Sequence, residues 1–354
     1  ASGKDYVDAM ANLWLCQVGH GRTEIIDAVT AQMHQMEAYN TFAPFTNGPA
    51  ARVAEMIVER SPHPDGRTFL GCSGSEAVDT ALKIARLVQQ RRGTEGRQVI
   101  IKRTNGYHGT NFGGTSAQGI APNREGWGDL VPHFLEVPHD DLEAMASIFA
   151  EQGDRIAAVL TEPLQGAGGV FPPAVGYLEG LRRLCDDNGA LLIFDEVICG
   201  FGRTGEWFGA QTFGVTPDLI TFAKGVTSGY LPLSGVIVSR AVCEELEEPG
   251  FLLRTGYTYS GHHASCAAGI ANLQIMTDEG LDQRANHVGE KLQEGLRALA
   301  ADGHIESWRG MGAVYAAELA AFDGTDLEEI QPFEMIQGAL ERVVSGSWWP
   351  GGAV

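Results

Sequence analysis

GYLEGLRRLCDDNGALLIFDEV, residues 176–197, carries the reading that decides the fold. Leu178, Leu181 and Leu184 recur at helical spacing, and Asn188-Gly189 is a helix stop. The apolar run 190–194 follows at once and ends on a charge at Asp195, the pattern of a short buried strand. The same punctuation recurs along the chain. Short apolar or β-branched runs at 99–101, 157–160, 219–222 and 235–238 alternate with helical patterns, which specifies an α/β protein with a mostly parallel sheet. Residues 1–50 and those after about 280 lack the alternation; 290–301 reads as a helix and 309–319 as a strand opened by glycine. The expected organisation is a large domain over 51–280, with 1–50 and 281–354 forming the two parts of a smaller one.

The 354 residues, 44% hydrophobic and 20% charged, can bury a sizeable core. A formal net charge of −20 argues against a nucleic-acid partner, which needs clustered Lys and Arg, and favours small-molecule chemistry. No apolar run approaches the roughly 18 residues of a membrane span. The six cysteines are scattered, without a CxxC pair or zinc-ligand spacing, so they read as reduced, mostly buried thiols and no metal site is expected. A cytoplasmic enzyme fits these features.

Open parallel sheets bind ligands at the carboxyl ends of their strands. Three such ends carry charge: Glu162, Asp195 and Lys224, spaced by about one βαβ unit each. Lysine occurs only at positions 4, 83, 102, 224 and 291, and four of these have simple surface or strand-end readings. Lys224 closes an apolar strand and opens the turn GVTSGY, which reads as flexible; burial there lowers an ammonium pKa and makes the amine nucleophilic toward an aldehyde. The plain alternative is a lysine snorkelling from a strand end. Asp195 suits a pyridine nitrogen, since a carboxylate held there keeps the ring protonated and able to accept electrons; its alternative is an ion pair with Arg203.

In TFLGCSGSEAVDTALKIARLV, residues 68–88, a short strand runs into Ser73-Gly74-Ser75-Glu76 and then a helix. Free N–H groups at such a helix start bind phosphate, and Gly74 lets the anion come close; a plain capping box of Ser73 and Glu76 reads equally well, and the two are compatible. Tyr107-His108-Gly109 follows the strand that starts at Val99 and offers an aromatic ring and an imidazole to a flat cofactor, or else a core aromatic and a structural histidine. Thr258 and Ser260 offer hydroxyls, though TYS is also ordinary strand composition. GAGG at 166–169 lacks the order of a dinucleotide fingerprint.

Together, SGSEAVDTALKIAR (73–86), GYHGT (106–110), TEPLQGAGGVFPP (161–173), IFDEVICGFGRTG (193–205), PDLITFAKGVTSGYLPLSGVIVS (217–239) and TYSGHHASCAAGIANL (258–273) resemble the class III aminotransferases, pyridoxal-phosphate enzymes of fold type I. The resemblance runs from about residue 5 to about 319. It implies a seven-stranded, mostly parallel sheet flanked by helices and a smaller α+β domain. It makes Lys224 the lysine that carries pyridoxal 5′-phosphate as a Schiff base and shuttles the proton, and Asp195 the partner of the pyridine nitrogen. Val197 and Tyr107 would take the two ring faces, Gly74 and Ser75 the phosphate, and Glu162 and His108 positions beside the cofactor. Thr258 would serve the neighbouring subunit's phosphate site, so a homodimer is implied. NLWLCQVGHGR (12–22) and DEVICGFGRTG (195–205) look most like the omega-amino acid:pyruvate and amine:pyruvate branch, with Ile198 where many relatives carry Gln and with Trp14 and Tyr39 at the substrate entrance. The implied reaction moves an amino group from an amine donor to a keto acid acceptor. An aminomutase, a decarboxylase or a cofactor-binding member without turnover shares the same scaffold. Members of the family extend further at both ends; the arginine that holds a substrate carboxylate lies in their C-terminal part, and Arg342 here matches no motif.

Overall fold

The computed structural model describes residues 8–319. Seven strands form one sheet: β1 (Arg67–Gly71), β2 (Val99–Arg103), β3 (Phe134–Val137), β4 (Ile156–Thr161), β5 (Leu191–Asp195), β6 (Leu219–Phe222) and β7 (Ser234–Val238). Their spatial order is β1-β7-β6-β5-β4-β2-β3. β7 runs antiparallel to both its neighbours, β6 and β1, while the remaining pairs are parallel. The expected strands therefore appear within a residue or two of their expected bounds. The runs picked out in the sequence do not include β3, a four-residue edge strand with only one fully buried position, too short and too mixed to show a pattern.

Side-chain parity along the strands builds the layers. Leu192 and Phe194 of β5 belong to a core beneath one face, which also takes Leu178, Leu181 and Cys185 of the helix Tyr177–Asn188. Leu191 and Ile193 point the other way, into a core with Ala77, Ala81, Ile84 and Val88 of the helix Gly74–Arg91. Successive strand residues alternate faces, so Asp195 follows Ile193, Glu162 follows Leu160 and Thr221 follows Leu219 onto this second face. The N-terminus of the Gly74–Arg91 helix lies on the same side. That shared parity brings the three strand ends and the helix start to one crevice. Gly189, at φ +69°, supplies the left-handed turn that ends the Tyr177–Asn188 helix before β5.

The N-terminal helix Thr23–Gln35 packs on His263–Asp278, and Gly48–Arg60 packs between that helix and β1. After Leu281–Ala301, strands β8 (Ile305–Met311) and β9 (Val314–Leu319) pair antiparallel as a hairpin. The single strand expected over 309–319 is thus two strands, because Gly312, at φ +53°, allows the chain to reverse between them. All six cysteines are free; Cys185, Cys199, Cys243 and Cys266 are buried, and Cys16 and Cys72 are half-buried. No helix among the described residues is long and apolar enough to cross a membrane, and no cluster of three metal-ligating side chains occurs among them. Lys102 is no simple strand-end lysine: it is buried with Arg103, donating to Glu136 and to the Gln118 carbonyl.

Candidate active site

A cavity of about 350 Å³ opens at the carboxyl ends of β4, β5 and β6. Trp14, Gly74, Ser75, Tyr107, Glu162, Asp195, Val197 and Lys224 all line it, joined by Leu13, Val78, Gly109, Ala167, Ile198 and Ala223.

Asp195 is 3% exposed and held on both oxygens. Its Oδ1 accepts from the Thr221 hydroxyl at 2.9 Å and the Val197 N–H at 3.2 Å, and its Oδ2 shares a 2.8 Å hydrogen bond with His108 Nδ1. Arg203 is not its partner: that guanidinium donates to the Cys16 carbonyl and Gln17 Oε1 instead. The ion-pair alternative for Asp195 therefore fails, and the carboxylate is clamped by neutral donors and an imidazole while it faces the cavity. His108 is buried behind Asp195 and does not line the cavity itself.

Burial lowers the Lys224 ammonium below its ordinary range, against the pull of the Asp195 and Glu162 charges. The amine lies 5.8 Å from the centre of the Trp14 ring. Lys224 itself has φ +42°, a left-handed conformation that a lysine adopts only when its surroundings fix it. The turn after it is mostly packed rather than exposed. Gly225, Val226, Thr227 and Ser228 are buried beneath residues 15–22.

Glu162 is buried, and burial pushes its carboxyl up, against the pull of His108. Its two oxygens accept the Tyr107 and Gly166 N–H groups, both at 2.9 Å, which fixes the backbone under the Tyr107 ring.

At the helix start the capping reading is observed, and it leaves the phosphate reading open. Ser73 Oγ accepts the Glu76 N–H at 3.2 Å, and Glu76 Oε2 accepts from Cys72 N at 2.7 Å, one residue before the cap. Neither contact uses the Gly74 and Ser75 N–H groups, which remain for an anion. A Cβ on Gly74 would meet both Val197 methyls at 3.1 Å, and one on Gly109 would lie 2.6 Å from Ser75 Oγ, so glycine keeps this cradle open at both positions.

Thr258 and Tyr39 do not join this cavity. Both are exposed, Tyr39 with its N–H on His263 Nδ1. Arg342 lies outside the described residues. Thr221 is a site residue that the sequence reading missed. Its signal was a lone hydroxyl in the apolar run LITF, at the parity that faces Asp195 across β5 and β6.

The class III aminotransferase model matches residues 1–340. The beta-alanine–pyruvate aminotransferase of Pseudomonas aeruginosa is 36% identical, covering 94% of this chain and 79% of its own. A transaminase from the marine bacterium Virgibacillus superposes with a TM-score of 0.87 at 37% identity, over 90% of this chain and 74% of that one. An amine transaminase from an uncultivated Pseudomonas species, solved in its PLP-bound internal aldimine form, gives 0.82 at 34% identity over 87% and 74% of the two chains. A clamped carboxylate, a desolvated lysine and an open helix start at strand ends of one sheet agree with that match in sequence and in shape, and the chain belongs to the class III aminotransferases.

Proposed function

We propose that this aminotransferase moves an amino group from a primary amine or omega-amino acid to a keto acid such as pyruvate, with pyridoxal 5′-phosphate held in the cavity at Lys224. The observation that carries the reading is the desolvated Lys224 amine sharing one cavity with the clamped Asp195 carboxylate. The pyruvate aminotransferase relative and the PLP-bound neighbour support it.

The residues fit that cofactor. The cradle at Gly74 and Gly109 has no room for a Cβ, and the free N–H groups beside it suit a phosphate. When bound, the cofactor supplies an aldehyde and an electron-accepting ring. Lys224 is the nucleophile toward that aldehyde, aided by a lowered ammonium pKa, and afterwards the base and acid that moves the proton at its Nζ. Asp195 would hold the ring nitrogen, its carboxylate kept from turning by Thr221, Val197 and His108. Tyr107 and Val197 line the cavity where they would flank the ring, with Glu162 fixing the Tyr107 backbone. Trp14 and Leu13 wall the mouth beside the amine.

Thr258 belongs to the proposal only through a homodimer, in which it would serve the second copy's phosphate site, and Tyr39 as part of the substrate entrance. The division into a large domain at 51–280 and a smaller one from both chain ends, and a cytoplasmic setting, complete the reading. Replacing Lys224 with Ala tests it: turnover of amine donors with pyruvate and the visible absorbance of the bound cofactor both disappear. An active Lys224→Ala enzyme with unchanged absorbance refutes the assignment.

A further inference from the structure

The loop that follows Lys224 does more than present the amine. Ser228 Oγ accepts two consecutive backbone N–H groups, from Gln17 at 2.8 Å and Val18 at 3.1 Å. Tyr230 OH lies 2.7 Å from the Arg22 N–H, which it accepts, and donates to the Gly19 carbonyl at 3.1 Å. Where a Cβ of Gly225 would stand, the Gln17 amide sits 2.2 Å away; where one of Gly229 would stand, Leu15 Cδ1 sits 2.3 Å away. Arg203 closes the far side by donating to the Cys16 carbonyl. Two glycines thus make the room and two hydroxyls make the bonds by which residues 15–22 seat on the lysine loop.

Immediately before that seat come Leu13 and Trp14, the wall of the cavity, in a turn whose residues 11–14 all have positive φ. L-residues resist this conformation, so the turn depends on anchorage from the chain beyond it. Ser228 itself has φ +51°, a second departure held by the same contacts.

We infer that Ser228 and Tyr230 are positioning residues that lock the Trp14 wall to the Lys224 loop, so that the reacting amine and the surface selecting the amine donor keep one fixed separation. The inference rests on the proposed placement of the amine donor at Trp14. Neither hydroxyl touches the cavity; each acts through residues 15–22.

The test uses the holoenzyme with Ser228→Gly, which removes the hydroxyl and tolerates the positive φ, and Tyr230→Phe, which keeps the ring. Hydrogen–deuterium exchange of a peptide covering residues 15–22 is expected to rise at least about fivefold in each variant, since each loses two hydrogen bonds to that segment, with β4 and β5 peptides unchanged. KM for a bulky aromatic amine rises by a similar factor while kcat falls less, and the visible absorbance of the cofactor persists. In a Trp14→Ala background the KM effect vanishes, because the hydroxyls then have no wall to hold. Unchanged exchange at 15–22, or an undiminished KM effect without Trp14, overturns the inference. Loss of the cofactor absorbance in the parent enzyme's Lys224→Ala variant is a separate readout, so the site assignment and this inference fail independently.

Discussion

Thr221→Val removes one hydroxyl and almost nothing else. Thr221 is fully buried in β6, valine matches its shape, and its strand neighbours stay apolar. What is lost is the 2.9 Å bond to Asp195 Oδ1, leaving that oxygen with only the longer Val197 N–H. A hydrogen bond to a charged group contributes about 1.5–3 kcal/mol, and a buried carboxylate short of a donor feels the full loss. The expected destabilisation is about 2 kcal/mol, a Tm drop of about 3 °C for a chain of this size. Asp195 also gains freedom to turn about its remaining contacts, and kcat with a saturating amine falls about tenfold, as about 1.4 kcal/mol of lost transition-state stabilisation implies. Thr221→Ser, which keeps the hydroxyl, should recover most of kcat. Calorimetry and steady-state kinetics on the three proteins decide the matter: a valine variant with parental Tm and parental kcat refutes the view that Thr221 holds the carboxylate in place.

Asp195→Asn keeps a side chain that can still accept from Thr221 and Val197, so the fold and the cofactor absorbance persist while turnover drops by about a hundredfold or more, the loss expected for one charge-assisted contact; near-parental turnover would count against the role of its charge. Gly74→Ala puts a methyl 3.1 Å from both Val197 methyls and drives Val197 into the cavity, so titration of the cofactor-free protein should show affinity weakened about tenfold, and unchanged affinity would mean the cradle is looser than it looks. Burial raises the Glu196 carboxyl to about 7 from an ordinary 4.5, which means the folded chain holds that proton more tightly than the unfolded chain. Its contribution is therefore largest below pH 4.5, declines by about 3 kcal/mol as pH rises to 7, and is level above. Glu196→Gln should flatten denaturant-derived stability across that window, and an identical pH slope in both proteins would show that Glu196 titrates normally.

The sheet and its strand-end charges were legible because a buried parallel strand is a continuous apolar run, and a charge that ends one is conspicuous. Asp195, Lys224 and Glu162 could be lined up from spacing alone; parity along the strands explains why Asp195 and Glu162 share a face, while Lys224, of the opposite parity, reaches the cavity only because the chain leaves strand geometry after Phe222. The contacts that qualify them were harder to see. Whether Asp195 pairs with Arg203 or with His108 depends on which loop folds over it, and those loops are separated from it by different lengths of chain. GVTSGY reads as a pliant turn because glycine and small polar residues favour loops in general; only the seat of residues 15–22 shows that its glycines supply space rather than freedom. The β8–β9 hairpin reads as one strand because the tight turn at Gly312 interrupts the composition for only two residues.

The reversed strand β7 has a bearing on how the enzyme is made. β1 finds its place in the sheet only by pairing with β7, Arg67 opposite Val238 and Gly71 opposite Ser234. Some 170 residues therefore separate partners that must meet, and closing so long a loop is slow compared with forming the local helices. During synthesis, Asp195 and Lys224 leave the ribosome before the strand that docks β1. The helix Gly74–Arg91, which follows β1 directly, gains its packing on β7 only afterwards. A nascent chain halted before residue 234 carries Asp195 and Lys224 but lacks the strand that holds β1 in the sheet, so the sheet is completed only late in the synthesis of this chain.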